Sequence, residues 1–467
     1  MTGRLARLPR ISRQVLAAPL CAALVACAPV PPGDKAADPG TAERLELPAA
    51  KIFPATVPTP TRRSNRDIAR DFLDLAFMLE SGAKLERFSR FEKPITVRLD
   101  GKADTILRKD LNQLINLLKR QSFIDIRETT DSDAAIVIHS VPGREIRRIR
   151  PLAACFVVPG ITELSQYRRA IRSGAADWTQ LRNREKMAIF IPNDVSPQEA
   201  RNCLHEELAQ AIGPPNDLYR LPDSVFNDDD MHAVLTGFDL LVLRTFYSPR
   251  LQSGMTRGQV AAQLPDILRA MNPRGEETPP ELAPPTPQAW VKSITQALGR
   301  GSSSRQRISG ALYSVAIAQD SGWTDHRLGF SHIATGWVSQ SVDPARALDA
   351  FRNAERLYRN RPDTRIHHAH AILRLAAFAI HHGDGEQALR LMEPHISTAR
   401  EHQNAALLAR FLMLKAEALE LTGKPEQARE TRLDSLGWAR YGFGNEKDIR
   451  RELARAAALR SKSKQDE

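Results

Sequence analysis

The sequence predicts two folded regions of different class, an α+β region over 65–271 and an all-α region over 290–467. Three observations carry this. Short β-branched runs and amphipathic helical stretches mix without strict alternation in the first region, which argues for helices layered on a small mixed sheet rather than a doubly wound fold. Six prolines crowd 272–288, a composition that interrupts helix and strand alike. Beyond them the chain is rich in Ala, Leu and Arg, residues that favour helix, with weak strand signal.

The elements follow in order. Residues 1–26 carry Arg4, Arg7, Arg10 and Arg13 and no acid, ahead of an apolar run over 15–26. That run has the length of an export signal and is too short to span a bilayer. It ends Leu24-Val25-Ala26-Cys27, which resembles the bacterial lipoprotein signal. The resemblance implies cleavage before Cys27, acylation of Cys27 and attachment to a membrane through the lipid. Ala28 in place of Asp implies the periplasmic face of the outer membrane. The alternative is an ordinary secretory signal with an incidental cysteine. Prolines recur through 27–64, so this stretch reads as an extended tether.

In the α+β region (65–271), a Phe/Leu-rich helix is expected over 67–79 and another over 107–119, where Leu107, Leu111, Leu114, Ile115 and Leu118 fall at helical spacing. Strands are expected over 95–99, 124–126, 134–138, 155–158 and 187–191. A helix starting near Pro197 ends at Gly213-Pro214-Pro215. The linker is 272–289. In the region over 290–467, Gly383-Asp384-Gly385-Glu386-Gln387-Ala388 recurs forty positions later as Gly423-Lys424-Pro425-Glu426-Gln427-Ala428, and Asp343-Pro344-Ala345 opens an earlier helix pair. This resembles tetratricopeptide repeats, which stack helix pairs into a partner-binding surface. An irregular helical bundle is the alternative.

Chemistry concentrates in Cys203-Leu204-His205-Glu206-Glu207-Leu208-Ala209-Gln210, followed by Gly213, Asn216 and Asp217. A zincin needs ligands at i and i+4 on one helix face and a Glu at i+1 as general base. Counting from His205 puts Ala209 at the second ligand, which cannot bind metal. Counting from Glu206 gives Glu207 as base, Gln210 as second ligand, Gly213 at the turn and Asn216 as third. The outline therefore resembles a degenerate metzincin, with candidate ligands Glu206, Gln210, Asn216 and Asp217 and Glu207 as candidate catalytic base. Oxygen and amide donors suit zinc poorly. No cofactor is expected, and a divalent metal is the weaker alternative. Leu221-Pro222-Asp223-Ser224-Val225-Phe226 resembles a methionine turn, and the stretch from Leu235-Thr236-Gly237 a closing helix. Cys203, Glu206-Glu207, Gln210, Gly213, Asn216-Asp217, Asp223-Ser224-Val225-Phe226-Asn227 and Tyr247-Ser248-Pro249 together resemble an alphaproteobacterial family of lipid-anchored or secreted proteins that is catalogued as a domain of unknown function.

Cys155 and Cys203 are the cysteines left after the signal and Cys27. In an oxidising periplasm an even pair suggests a disulfide joining a strand to the motif helix; two buried free thiols are the alternative. His367, His368, His370, His381 and His382 lack ligand spacing with acids or cysteines and are read as solvent-facing. The formal charge of +11 invites nucleic acid, yet four of those charges belong to the signal. Residues 27–289 balance at 35 basic and 35 acidic, while 290–467 hold 27 and 20. No basic stripe with interleaved aromatics or zinc-finger spacing is present, so nucleic acid is not an expected partner. The sequence thus predicts a lipid-anchored, periplasmic, non-catalytic protein binding a protein, peptide or envelope partner on its helical array. The alternative is a metal-assisted hydrolase using Glu207.

Overall fold

A computed structural model describes residues 47–463 apart from 56, 57 and 152. The signal peptide, Cys27 and residues 27–46 lie outside the described residues. The side chain of Ser64 accepts the Asp67 N–H and starts helix α1 (Asn65–Phe77), the arrangement that leaves one fewer helix N–H unpaired. Strand β1 (Ile95–Gly101), helix α2 (Thr105–Leu117), β2 (Ile126–Glu128) and β3 (Ile136–Val141) follow. Then come α3 (Gly143–Ile149), β4 (Phe156–Pro159), α4 (Tyr167–Ser173) and β5 (Met187–Pro192). The sheet order is β2-β1-β3-β5-β4. Neighbours run parallel except β4, which pairs antiparallel with β5 at one edge. The first region is therefore α/β with a small mixed sheet, and all five expected strands form.

Both faces of the sheet are covered, which is why β5 reads as an unbroken apolar run. Met187, Ile189 and Ile191 enter the main core. Ala188 and Phe190 point the other way, into a smaller core with Ile146, Phe156, Val158 and Ala170. On the main-core side lies α5 (Pro197–Ile212), capped by Ser196 with Pro197 in its first turn. It packs on β4, β5 and α2. Helices α6 (Gly237–Phe246), α7 (Arg257–Met271) and the short α8 (Arg274–Glu277) complete the region.

The second region is all helical: α9 (Gln288–Leu298), α10 (Ser304–Asp320), α11 (His326–Ser339), α12 (Pro344–Tyr358), α13 (Arg365–His381), α14 (Gly385–Glu401), α15 (Ala405–Leu421), α16 (Pro425–Phe443) and α17 (Glu446–Ser463). Each helix packs on the next, and α13 also touches α15 and α17. Small residues set the closest approaches. A Cβ added at Gly336 on α11 would lie 2.4 Å from the Phe351 ring on α12. Gly336→Ala is expected to destabilise the protein by ~1–3 kcal/mol through overpacking, read as a lower urea midpoint. An unchanged midpoint would mean that α11 and α12 do not pack this closely.

Two expectations about linkers are corrected. Residues 47–64 are not a free spacer. Phe53 is buried and stacks on Trp438 with centroids 4.6 Å apart, the Lys51 N–H donates to Gly437 O at 3.0 Å, and Thr61 Oγ1 donates to Asp223 at 3.1 Å. Proline keeps this stretch extended, and its apolar side chains find partners on the folded body. The proline-rich 272–289 marks a change of class without separating two bodies, since residues from Leu47 onward pack as one unit. Glu281 and Leu282 donate backbone N–H groups to Asp67, and buried Arg327 reaches Pro284 O at 2.8 Å.

Candidate functional site

Three devices fix α5 and its C-terminal end. Cys203 is bonded to Cys155, just before β4, at an S–S distance of 2.06 Å, so the motif helix is tied to the edge strand as expected. Buried Arg184 donates to Gln210 O at 3.0 Å and Ala211 O at 2.9 Å, pairing carbonyls that the helix end leaves open. Gly213 then allows α6 to approach. A Cβ there would meet Leu243 Cδ2 at 2.3 Å and Ala209 O at 2.9 Å. Close packing, not a left-handed turn, requires this glycine.

Carboxylates gather beside that helix end. Glu206 and Asp217 are half-buried, with exposed Glu80 and Asp228 near them. Burial raises both Glu206 and Asp217, and the charges acting most strongly on them are all acidic: Glu207, Asp230, Asp228 and Glu80 on the first, Glu80, Glu206 and Asp228 on the second. The negative charge of Glu80 beside Asp217 adds to burial in holding the Asp217 carboxyl up. The cleft therefore favours protons or an outside cation.

Glu207 sits behind this cluster, 5% exposed, facing the Val157 N–H of edge strand β4. Its Oε2 has no hydrogen-bond partner. Burial, and then Glu80, push its carboxyl up to about 8, against a smaller opposing pull from Arg150. At neutral pH Glu207 thus holds its proton. Sign follows from the raised value: stability is fullest below the unfolded value near 4.5 and is lost as pH rises through about 8. Glu207→Gln should remove this loss. Between pH 5 and pH 8 its stability should gain ~3 kcal/mol on the native protein, measured by urea unfolding at both pH values. Parallel pH profiles would show that Glu207 ionises normally.

The structure separates the other candidates. His205 is buried, and its Nδ1 accepts the Leu235 N–H at 3.2 Å, so it is a core residue and the register beginning at Glu206 is the one that faces the cleft. Gln210 Nε2 donates to Asp217 Oδ2 at 2.9 Å. Asn216 turns its Nδ2 to Asp74 O at 3.1 Å and leaves Oδ1 unpartnered. Among the described residues, the trio of His and acidic side chains with ligand atoms within 4.8 Å of one another is Asp100, His139 and Glu163, not the α5 set. Even there, Arg98 already pairs with both acids, and His139 Nε2 donates to Thr162 O at 2.7 Å. A zinc centre does not fit the α5 donors, which offer carboxylate and amide oxygen rather than nitrogen or sulfur.

Residues 219–232, which follow Asp217 and include Asp228, are braced by the helical region, a feature that sequence reasoning missed. Asn227 Oδ1 accepts the Asp229 N–H and Asp229 Oδ1 the Met231 N–H, each at 3.0 Å. Asp228 and Asp230 between them take left-handed φ of 60° and 58°, which short polar side chains tolerate. His326 Nε2 on α11 donates to Tyr219 O at 2.6 Å, and His367 Nε2 on α13 donates to Asp229 Oδ2 at 2.7 Å. The solvent-facing reading of the histidines is thereby corrected: His367 is wholly buried, His368 and His370 are half-buried, and His382 is exposed. Burial lowers His326 and His232 to about 4 and His370 and His402 to about 3, so the four are neutral at pH 7. For His326 and His367 spacing along the chain held no hint of this, because their partners Tyr219 and Asp229 lie 107 and 138 residues away.

Residues 65–266 match the family model described as protein of unknown function (DUF2927), which runs from α1 into α7 and includes the whole cleft. The match spans less than half of the chain, and the helical array lies outside it. No curated protein and no solved structure matches the chain.

Proposed function

We propose that this chain is a lipid-anchored protein of the periplasmic face of the outer membrane that binds, without turning over, a basic peptide segment of an envelope partner. The observation that carries this is the acid-lined cleft. Glu206, Asp217, Asp228 and Glu80 act on one another, and two of them, Glu80 and Asp228, are exposed. Lys or Arg side chains of a peptide can meet these acids. In this reading the α/β region keeps a metzincin-like outline with its metal-binding side chains replaced, and the tetratricopeptide-like array serves as scaffold. Part of the array's surface is taken by the α/β region, since Gln198 on α5 donates to Asn404 Oδ1 at 2.9 Å and Tyr441 Oη to Asp110 at 2.6 Å. The array's other faces offer the partner further contacts.

A hydrolase with Glu207 as general base is the second reading, favoured by the free Oε2 and its place beside an edge strand. Its raised carboxyl opposes base chemistry at neutral pH, because a protonated acid donates rather than accepts. Fluorescence anisotropy with lysine-rich and glutamate-rich peptides, metal analysis of the purified protein, and a cleavage assay with Glu207→Gln distinguish the two. Selective uptake of the lysine-rich peptide without cleavage supports binding. Stoichiometric metal with Glu207-dependent cleavage overturns it.

A further inference from the structure

The α/β region is neutral in sum but strongly polarised. Residues 143–173 hold seven arginines and two acids, Glu145 and Glu163. Ile146 of α3 and Ala170 of α4 enter the same small core over β4 and β5, so both helices lie on one face of the sheet, opposite the main core. Arg144, Arg147 and Arg148 on α3 and Arg150 just beyond it are exposed, as are Arg168, Arg169 and Arg172 on α4. Elsewhere on the surface, Arg250, Arg257 and Arg359 pair with acids. Of these seven, Arg150 lies over the Phe156 ring at 5.2 Å, and among the described residues none of the seven forms an ion pair or a side-chain hydrogen bond. In their midst Ile171 is 51% exposed.

We propose that the α3–α4 face docks on anionic phospholipid headgroups. Unpaired guanidiniums are weakly hydrated forks that match phosphate oxygens, and a basic helix face with an exposed aliphatic side chain suits the boundary between headgroup and acyl chain. The sparse acids on this face leave its charge uncompensated, so the field it presents is attractive to an anionic surface over about one Debye length. The proposal does not depend on acylation of Cys27, although a lipid at that position would hold the chain at such a surface. It also separates two tasks: the basic face meets lipid while the acidic cleft takes up its partner.

The test is co-sedimentation of the full chain carrying Cys27→Ala, so that no acyl group contributes, with vesicles of phosphatidylcholine alone or mixed with phosphatidylglycerol. Binding is expected to the mixed vesicles at low salt, with a loss at ~0.5 M salt through screening. Joint reversal by Arg147→Glu, Arg148→Glu, Arg168→Glu and Arg169→Glu should weaken it by ~100-fold or more. Because all four side chains are exposed, the fold should persist, as circular dichroism would show; Arg168→Gln with Arg169→Gln gives a milder second variant, expected to lose ~10-fold. Equal binding to neutral vesicles overturns the proposal, as does unchanged binding by both variants. Displacement of the vesicles by inorganic phosphate at constant ionic strength also overturns it, since that result marks a site for free phosphate.

Discussion

Asp71→Ala is expected to lower the unfolding free energy by ~3–5 kcal/mol, the cost of stranding a buried charge. Asp71 is wholly buried on α1 and accepts from three guanidiniums: Arg63, Arg70 at 2.9 Å and Arg220 at 2.8 Å. Arg220 is itself 4% exposed and reaches Asp74 at 2.6 Å, which in turn holds Arg257 of α7 at 2.7 Å. Losing Asp71 leaves Arg220 short of a partner where water cannot replace it. Arg220 also lies one residue past Tyr219, in the braced segment behind the cleft. The variant should therefore lose peptide binding together with stability. Urea unfolding measures the first effect. Asp266→Ala is the matched control, since Asp266 pairs with Arg250 and Arg269 on the surface and should cost no more than ~0.5 kcal/mol. Equal, small losses for the two variants would contradict this buried network.

Removal of the Cys155–Cys203 bond by joint replacement with alanine should cost ~4 kcal/mol. The bond closes 48 residues, and chain-entropy arguments give about this value for such a loop. Its consequence for the cleft is more specific. Cys203 lies one helical turn before Glu207, and Cys155 two residues before Val157, whose N–H faces the Glu207 carboxyl. Without the bond, β4 and α5 are held together by packing alone, and the pH dependence assigned to Glu207 should shrink along with the stability. Non-reducing mass spectrometry establishes the bond in the purified protein. Free thiols on both residues, or a loss below ~1 kcal/mol on replacement, would contradict this role.

The local parts of the fold were legible because each announces itself within a few residues. Ile136-Val137-Ile138 and Met187-Ala188-Ile189-Phe190-Ile191 read as strands through unbroken apolar character, and Ser196-Pro197 with Gly213 bracketed the motif helix. Strand order was not legible. The pairing of β1 with both β2 and β3, and the reversal of β4, depend on contacts between distant segments that leave no periodic trace. The candidate site divides the same way. Glu206, Glu207 and Gln210 were recognised from spacing on one helix and Asp217 from its place just past the turn that ends it, and Gln210 does meet Asp217. Glu80 and Asp228 were missed because they come from segments well before and after the motif. His367 was misread since Arg365, His368 and His370 beside it on α13 are polar, while its partner Asp229 lies 138 positions away. Charge balance over 27–289 also concealed a basic face and an acidic cleft that cancel in sum but not in space.

The central claim is that the acid-lined cleft beside α5 is where this protein meets its partner. Joint Glu206→Gln and Asp217→Asn tests it most directly, because both side chains are half-buried at the cleft and their replacement relieves repulsion that burial intensifies. Stability of the double variant should hold or rise, while anisotropy with a lysine-rich peptide should show affinity at least ~10-fold weaker, in keeping with the loss of two charged contacts. Undiminished affinity in a folded double variant would contradict the claim.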